Sequence, residues 1–204
     1  IETALYALAK VVNEHPDVLY LIIGKTHPEV FKTEGESYRM YLEELISILD
    51  LTTNVRFVNS FVHKKTLEDY LQATDIYLFT SIDPNQAVSG TFAYAMACGC
   101  PIVSTAIPQA KDSLGSAGIV IDFNDAAQMA AAIQTILNAP ERLSSMKQAA
   151  LQQIRPSAWQ NVAIQHMNLI ERCHSKKVKP LHFSLPAYNL SHFLSGEKTL
   201  AEII

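Results

Sequence analysis

Several features are scarce in this 204-residue chain, and each shortage argues against a class of protein. The three cysteines include no Cys-x-x-Cys pair, which argues against a disulfide framework or a structural zinc site and favours a reducing compartment. There is no signal peptide and no run of about 18 apolar residues, so we expect a cytoplasmic protein, whether free or peripheral to the inner face of a membrane. The net charge is −4, and no basic stripe offsets it, so we expect no nucleic-acid partner.

Apolar residues make up 49% of the chain, which is enough for one packed domain. Short apolar runs alternate with segments of helical periodicity, and this alternation predicts an α/β fold. We expect a doubly wound parallel (Rossmann-like) sheet with helices on both faces, plus C-terminal helices and an irregular tail. The expected strands are 18–24, 55–59, 75–79, 101–105 and 118–121, and the expected helices are 1–14, 37–50, 66–73, 90–98, 126–138, 141–153 and 156–173.

Two segments lie outside this alternation, and the start of the chain carries a separate signal. Residues 25–36 are polar and are expected to form a loop. The chain starts inside a helical pattern without a methionine or a cap, which suggests a fragment of a longer protein. Residues 176–204 lose the alternation, so we expect the domain to cover 1–175 and the rest to be a tail or a linker toward another segment.

The loop after the third expected strand carries small residues at the start of a helix. In an open parallel sheet, ligands bind beyond the carboxyl ends of the strands. Ser89, Gly90 and Thr91 would present free N–H groups at the positive end of the helix dipole, which suits phosphate oxygens. The alternative is structural: Ser89 is a plain N-cap, and Gly90 relieves crowding between the helix and a strand.

Common nucleotide and hydrolase motifs are missing. No GxGxxG follows the first strand, and neither GxxxxGK[ST] nor GxSxG occurs. His27 and Lys25 after the first strand, and Lys111 after the fourth, could reach a ligand but are equally compatible with a solvated surface. The residues alone therefore predict an α/β domain with a phosphate site and leave the reaction open.

The order of five sequence blocks resembles the C-terminal, donor-binding domain of a family 4 (group 1) retaining glycosyltransferase. The blocks are LYLIIG, NVRFVNSFV, LQATDIYLFTS, AYAMACGCPIVST and GIVIDFNDAAQMAAAI. AMACGCPIVST is similar to the family signature EAMAxGxPVVAT, and the resemblance runs from residue 1 to about 170. It implies a two-domain enzyme that moves a hexose from a nucleotide diphosphate sugar to a saccharide or lipid-linked acceptor, with retention and without a metal or other cofactor.

The resemblance also implies roles for individual residues. The family has a Glu, seven residues and a second Glu, whereas this chain has Gln86 and Tyr94 at those positions. Gln86 would then contact the donor sugar at the catalytic position, Tyr94 the ribose, and Ser89–Thr91 the diphosphate. DPNQAVSGTFAYA is similar to the NPxQxxSGTxAYA pattern of a bacterial branch of the family. Gly24, Thr26 and His27 would line the same cleft. Lys111 stands where many relatives have an acidic residue, a role that Asp112 could take.

Two parts of such an enzyme would precede this chain: the acceptor domain and an Arg/Lys pair that neutralises the diphosphate. The fragment alone is therefore expected to bind a donor weakly and to transfer nothing. Two other functions remain open. A non-catalytic scaffold would explain the loss of both carboxylates, and a nucleotide-sugar 2-epimerase would share the two-domain architecture.

Overall fold

The structure is a computed structural model that describes residues 1–175. Residues 1–161 form one compact unit. The tail expected at 176–204 lies outside the described residues. In the part that is described, no helix is both long and apolar enough to cross a membrane.

Helices and parallel strands alternate along the described chain, as the sequence predicts. The strands are β1 (Tyr20–Ile23), β2 (Val55–Val58), β3 (Tyr77–Phe79), β4 (Ile102–Thr105) and β5 (Gly118–Ile121). The helices are α1 (Glu2–Val11), α2 (Pro28–Glu34), α3 (Ser37–Ile48), α4 (Lys64–Gln72), α5 (Gly90–Ala97), α6 (Pro108–Ser113), α7 (Ala126–Leu137), α8 (Pro140–Ile154) and α9 (Trp159–Ser175).

All strand pairs within residues 1–175 are parallel, which confirms the expected fold class. β1 pairs with β2, with Tyr20 opposite Val55. β4 pairs with β3 on one edge and with β5 on the other, so that Ile102 lies opposite both Tyr77 and Gly118. The five strands therefore form two hydrogen-bonded ladders, β1–β2 and β3–β4–β5, instead of one continuous sheet.

Two apolar clusters hold the layers together. The first joins α1, α3 and α7 to the strands, with Leu5, Leu42 and Ile136 almost fully buried. The second lies under α5, where the Phe92 ring meets the Phe79 ring edge to face with 5.7 Å between centroids. This aromatic contact fixes the first turn of α5 against the end of β3.

The continuous apolar run at 18–24 predicts a strand that is buried on both faces, and this prediction is wrong in this structure. All four residues of β1 are partly exposed, whereas all four residues of β4 are buried. β4 has a paired strand on each side, and β1 has one on a single side. The apolar composition of β1 is typical of a strand with two neighbours.

Local signals explain three further differences from the expected elements. The expected polar loop 25–36 contains α2, because the His27 side chain caps it and Pro28 fits its first position. α4 begins at Lys64 and not after Thr66, since His63 is the last extended residue. α6 occupies the expected loop after β4 and also begins with a proline, Pro108.

Candidate functional site

The first turn of α5 carries two backbone N–H groups that have no acceptor within residues 1–175. Ser89 has extended backbone angles, and its Oγ accepts a hydrogen bond from the Phe92 N–H at 3.3 Å. The N-cap expected at Ser89 is thereby confirmed. The N–H groups of Gly90 and Thr91 are left at the positive end of the helix, where an anion would be stabilised.

Gly90 leaves the approach to these N–H groups open. A Cβ placed on Gly90 would meet no atom within 4 Å, and the backbone there is not in the left-handed region. Packing therefore does not require glycine at this position, and the explanation that Gly90 relieves crowding is wrong. What the missing side chain provides is room above the backbone on the side where a ligand would approach.

A glutamine from the next loop supports the start of α5. The Gln109 side chain, in the first turn of α6, accepts a hydrogen bond from the Ser89 N–H at 2.6 Å. Sequence reasoning missed Gln109 and chose Lys111 two residues later. Lys111 is exposed, and no described hydrogen bond or ion pair joins its side chain to Ser89, Gly90 or Thr91. The sequence signal that could have identified Gln109 is its position as a polar residue directly after a proline at a helix start.

Replacing Gln109 with alanine should loosen the first turn of α5. The loss of one hydrogen bond to a partly buried amide is worth about 1 kcal/mol in unfolding free energy. Gln109→Glu keeps an acceptor oxygen and is the matched control. Amide hydrogen exchange at Ser89 and chemical denaturation measure the effect, and equal exchange at Ser89 in the alanine and glutamate variants would contradict the role given to Gln109.

Gln86 lies in a turn that is held to the end of β4. The Asp83 side chain accepts from the Asn85 N–H at 2.9 Å, and the Gln86 N–H donates to the Asp83 carbonyl at 3.2 Å. The Ser81 carbonyl accepts from the Thr105 hydroxyl at 2.8 Å. The Gln86 side chain is partly exposed and has no hydrogen-bond partner in the described part of the chain. Its amide is therefore available to a ligand above the sheet edge.

Tyr94 lies one helical turn beyond Gly90 on α5. Its side chain is 41% exposed, and the ammonium of Lys64 at the start of α4 stands 6.0 Å from the ring centroid. The ring can stack on a ligand group, and the phenol can donate or accept a hydrogen bond. As a neutral group, it cannot make the charge-assisted bond of a carboxylate.

The three candidates after β1 are all engaged in local structure. The Gly24 carbonyl accepts from Arg39 at 3.3 Å, and its φ of +134° favours glycine. The Thr26 hydroxyl donates to Glu36 at 2.7 Å, and this bond, with Arg39 adding to it, lowers the pKa of Glu36. The His27 Nδ1 accepts from the Glu29 N–H at 3.3 Å as the cap of α2.

A cavity of about 310 Å³ connects the end of β1 with the start of α5. Ile23 and Thr91 both line it, and so does Tyr77 of β3. Burial raises the pKa of the Tyr77 phenol, and a hydrogen bond with Thr91 acts in the opposite direction. Thr91 therefore shares this cavity with the end of β1, and it hydrogen-bonds with Tyr77 in the cavity wall. The sequence pattern predicts Tyr77 only as part of a strand.

A parallel α/β domain with free helix N–H groups beyond its strand ends belongs to the class of folds that hold phosphate groups at that edge. Comparison with known families makes the assignment specific. The family model described as "Glycosyl transferases group 1" matches residues 1–153, and the chain belongs to this family.

The relatives are consistent with this membership. A D-inositol 3-phosphate glycosyltransferase of Corynebacterium urealyticum is 27% identical over 167 residues, which are 81% of this chain and 38% of that protein. Anabaena HepE, solved with UDP, has a TM-score of 0.69 at 20% identity over 85% of this chain and 44% of its own. The C-terminal domain of a group 1 protein of Francisella tularensis has a TM-score of 0.65 at 15% identity, covering 76% of both chains. The chain thus spans less than half the length of its curated relative.

Proposed function

We propose that this chain is the donor-binding half of a retaining glycosyltransferase that moves a hexose from a nucleotide diphosphate sugar to a saccharide or lipid-linked acceptor. The observation that carries the proposal is the pair of free N–H groups at Gly90 and Thr91, in a chain of the group 1 family. The fold neighbour HepE, which has been solved with UDP and with UDP-glucose, supports a nucleotide-sugar donor.

The residues at the start of α5 would hold the leaving group. As the bond to the anomeric carbon breaks, negative charge builds on the diphosphate, while the sugar becomes oxocarbenium-like. Fixed N–H dipoles at Gly90 and Thr91 stabilise that charge without reorganising. Ser89 stabilises the first turn of α5 as its N-cap. The Gln109 side chain fixes Ser89 by accepting a hydrogen bond from its N–H.

Gln86 and Tyr94 would orient the donor. In the proposal, the Gln86 amide binds hydroxyls of the transferred sugar, and Tyr94 stacks on or hydrogen-bonds the ribose. Gly24, Thr26 and His27 shape the far wall through the start of α2, and Lys111 adds a cation at longer range. The proposed reaction uses no metal, because the helix N–H groups and a cationic pair preceding Ile1 supply the positive charge. The chain alone would then bind the donor weakly and transfer nothing.

One observation favours a second function, that of a scaffold without catalysis. Neutral Gln86 and Tyr94 stand where the family pattern has two carboxylates, and each lost charge-assisted bond weakens binding by about tenfold. The open backbone at Gly90 favours the enzyme, because a scaffold without a donor has no need of it.

Substitution of Gln86 in the full-length protein separates these functions. Gln86→Ala should lower kcat/KM for sugar transfer by about 10- to 100-fold, since it removes the amide that pairs with the sugar hydroxyls. Gln86→Glu restores an acceptor of the family type and should retain most of the activity.

The readouts are sugar transfer to an acceptor and, in parallel, conversion of the free nucleotide sugar without an acceptor. A wild-type protein inactive in both assays would favour the scaffold. Interconversion of nucleotide sugars without an acceptor would identify an epimerase instead. Equal transfer by the wild type and Gln86→Ala would contradict the role of Gln86.

A further inference from the structure

An arginine in the first turn of α3 is hydrogen-bonded to the loop that follows β1. The Arg39 guanidinium donates from Nη2 to the Gly24 carbonyl at 3.3 Å and from Nε to the Glu36 carboxylate at 3.0 Å. The same carboxylate oxygen of Glu36 accepts from the Thr26 hydroxyl at 2.7 Å. Arg39 and Glu36 therefore hold both ends of the segment 24–26, and we call Gly24, Thr26, Glu36 and Arg39 the β1 clasp.

The β1 clasp is anchored on the pair of strands β1 and β2. The Arg39 guanidinium carbon lies 5.0 Å from the centroid of the Phe57 ring on β2, and the Arg39 side chain is only 13% exposed. The Gly24 N–H donates to the Val58 carbonyl at 3.1 Å, which extends the pairing with β2 by one residue. The chain then turns at Gly24 with a φ of +134°. The direction of the loop after β1 is therefore fixed by β2 on one side and by Arg39 on the other.

The β1 clasp also closes the base of the segment that contains α2. None of the seven residues of α2 is buried, so this helix gains little from packing against the domain. Thr26 precedes α2 and Glu36 follows it, and their hydrogen bond joins the two ends of the segment. The loop and α2 therefore depend on the β1 clasp for a defined position.

Stability alone does not account for an arginine at position 39. Its Nη1 is buried and has no hydrogen-bond acceptor within residues 1–175, and an unpaired buried N–H group opposes folding. The ion pair with Glu36 is partly exposed, and such pairs contribute little to stability. An apolar side chain of similar length would cover Phe57 without leaving a polar nitrogen unpaired. What the guanidinium provides is simultaneous binding of Gly24 and Glu36 from one planar group.

The loop held by the β1 clasp presents three backbone N–H groups in succession. Those of Lys25, Thr26 and His27 have no acceptor in the described part of the chain. They follow the carboxyl end of β1, and ligands bind at this edge of a parallel sheet. The cavity of about 310 Å³ connects the end of β1 with Thr91 of α5. Successive N–H groups bind an anion best when the backbone that carries them is already fixed.

We propose that Arg39 is a positioning residue of the donor site, which fixes the loop 24–27 through Gly24 and Glu36 so that the loop presents its N–H groups to the nucleotide diphosphate sugar. The inference rests on the proposed function, because it takes this loop as one wall of the donor cleft. Since the Arg39 charge is paired with Glu36, Arg39 acts through the loop and not as a free cation. Without the β1 clasp, the donor has to order the loop when it binds, and its affinity falls.

Arg39→Met in the full-length protein tests the proposal, because methionine keeps an apolar contact with Phe57 and removes the hydrogen bonds of the guanidinium. The probe is calorimetric titration with UDP, GDP and ADP. We expect Kd for the nucleotide that the wild type binds to rise by about 10-fold, while the melting temperature stays within a few degrees of the wild type. Amide exchange at residues 25–27 should become faster, and amide exchange in β4 should not change.

Lys32→Met is the matched control. It also replaces the cation of an i,i+3 ion pair with methionine, since the Lys32 ammonium lies 2.7 Å from the Glu29 carboxylate, but this pair lies on the exposed face of α2 and outside the β1 clasp. The control should bind the nucleotide like the wild type. If Arg39→Met does not fold, Arg39→Lys replaces it, because lysine keeps a cation near Phe57 but cannot bind Gly24 and Glu36 together. The same rise in Kd is expected.

The other outcomes separate this inference from the proposed function. Nucleotide binding that is lost in Gly90→Val but unchanged in the Arg39 variant would overturn the role of Arg39 alone. A wild type that binds none of the three nucleotides, or a Gly90→Val variant that binds like the wild type, would overturn the proposed function and this inference with it. A rise in Kd that Lys32→Met shares, or that comes with faster exchange throughout β4, would show that Arg39 supports the fold in general, and it would also overturn the proposal.

Discussion

Gly90→Val is expected to abolish binding of the nucleoside diphosphate while the protein stays folded. The β-branched side chain of valine would stand directly over the N–H groups of Gly90 and Thr91, where the diphosphate oxygens have to approach. A Cβ at this position meets no atom of the protein within 4 Å, so the first added carbon does not clash with the fold. We expect Kd to rise by about 100-fold or more, as for the loss of two charge-assisted hydrogen bonds.

The measurement is a calorimetric titration of the full-length protein with UDP, GDP and ADP, which also identifies the base. Ala127→Val is the matched control, because it adds a β-branched side chain to an exposed position in the first turn of α7. The control should bind like the wild type, and both variants should keep the same melting temperature within a few degrees. Unchanged affinity in Gly90→Val would place the diphosphate elsewhere and remove the observation on which the proposed function rests.

The sequence pattern predicts the helix start at α5 well, because local chemistry determines it. A serine before a glycine and a helical run is an N-cap signal that needs no tertiary information. Gln109 was missed because its contact with the Ser89 N–H joins residues 20 positions apart, and no local pattern records such a pairing. In the first loop, Thr26 and His27 are polar residues that bond within their own loop and helix, and the sequence pattern does not reveal these local bonds.

The parallel α/β class was equally predictable, since alternating apolar runs and helical segments leave few other folds. The order of the strands was not predictable, because it depends on which strand edges pair in space. β1 is the clearest example of a strand whose composition does not predict its number of neighbours. Its sequence is that of a strand buried between two neighbours, and the structure gives it one neighbour.

Among the glycines of residues 1–175, Gly118 is the position where replacement by alanine is expected to be most destabilising. Gly118 is the first residue of β5 and lies opposite Ile102 of β4. Its φ is −171°, so alanine fits the backbone conformation. The added Cβ, however, would lie 2.0 Å from the Ile102 carbonyl oxygen and within 2.9 Å of the Leu114 side chain. Both neighbours are almost fully buried, and neither can move into free space.

The size of the loss in stability depends on which atom the added Cβ contacts. A flexible side chain could rotate away, but the Ile102 carbonyl belongs to β4, which has a strand on each side. Overpacking against such an atom costs about 3 kcal/mol of unfolding free energy, which is a large share of the total for a single domain. For a domain of this size, the melting temperature should fall by about 6–12 °C.

Gly90→Ala makes the same chemical change where the Cβ meets open space, and it should leave the melting temperature nearly unchanged. Thermal and urea unfolding of the two variants therefore compare one methyl group in a closed and in an open environment. A loss of stability in Gly118→Ala no larger than in Gly90→Ala would mean that β5 shifts away from β4 at low cost. In that case the β4–β5 register could not be a rigid support for the loop and helix that carry Gln109, and the fixed position of the Ser89 N–H would need another explanation.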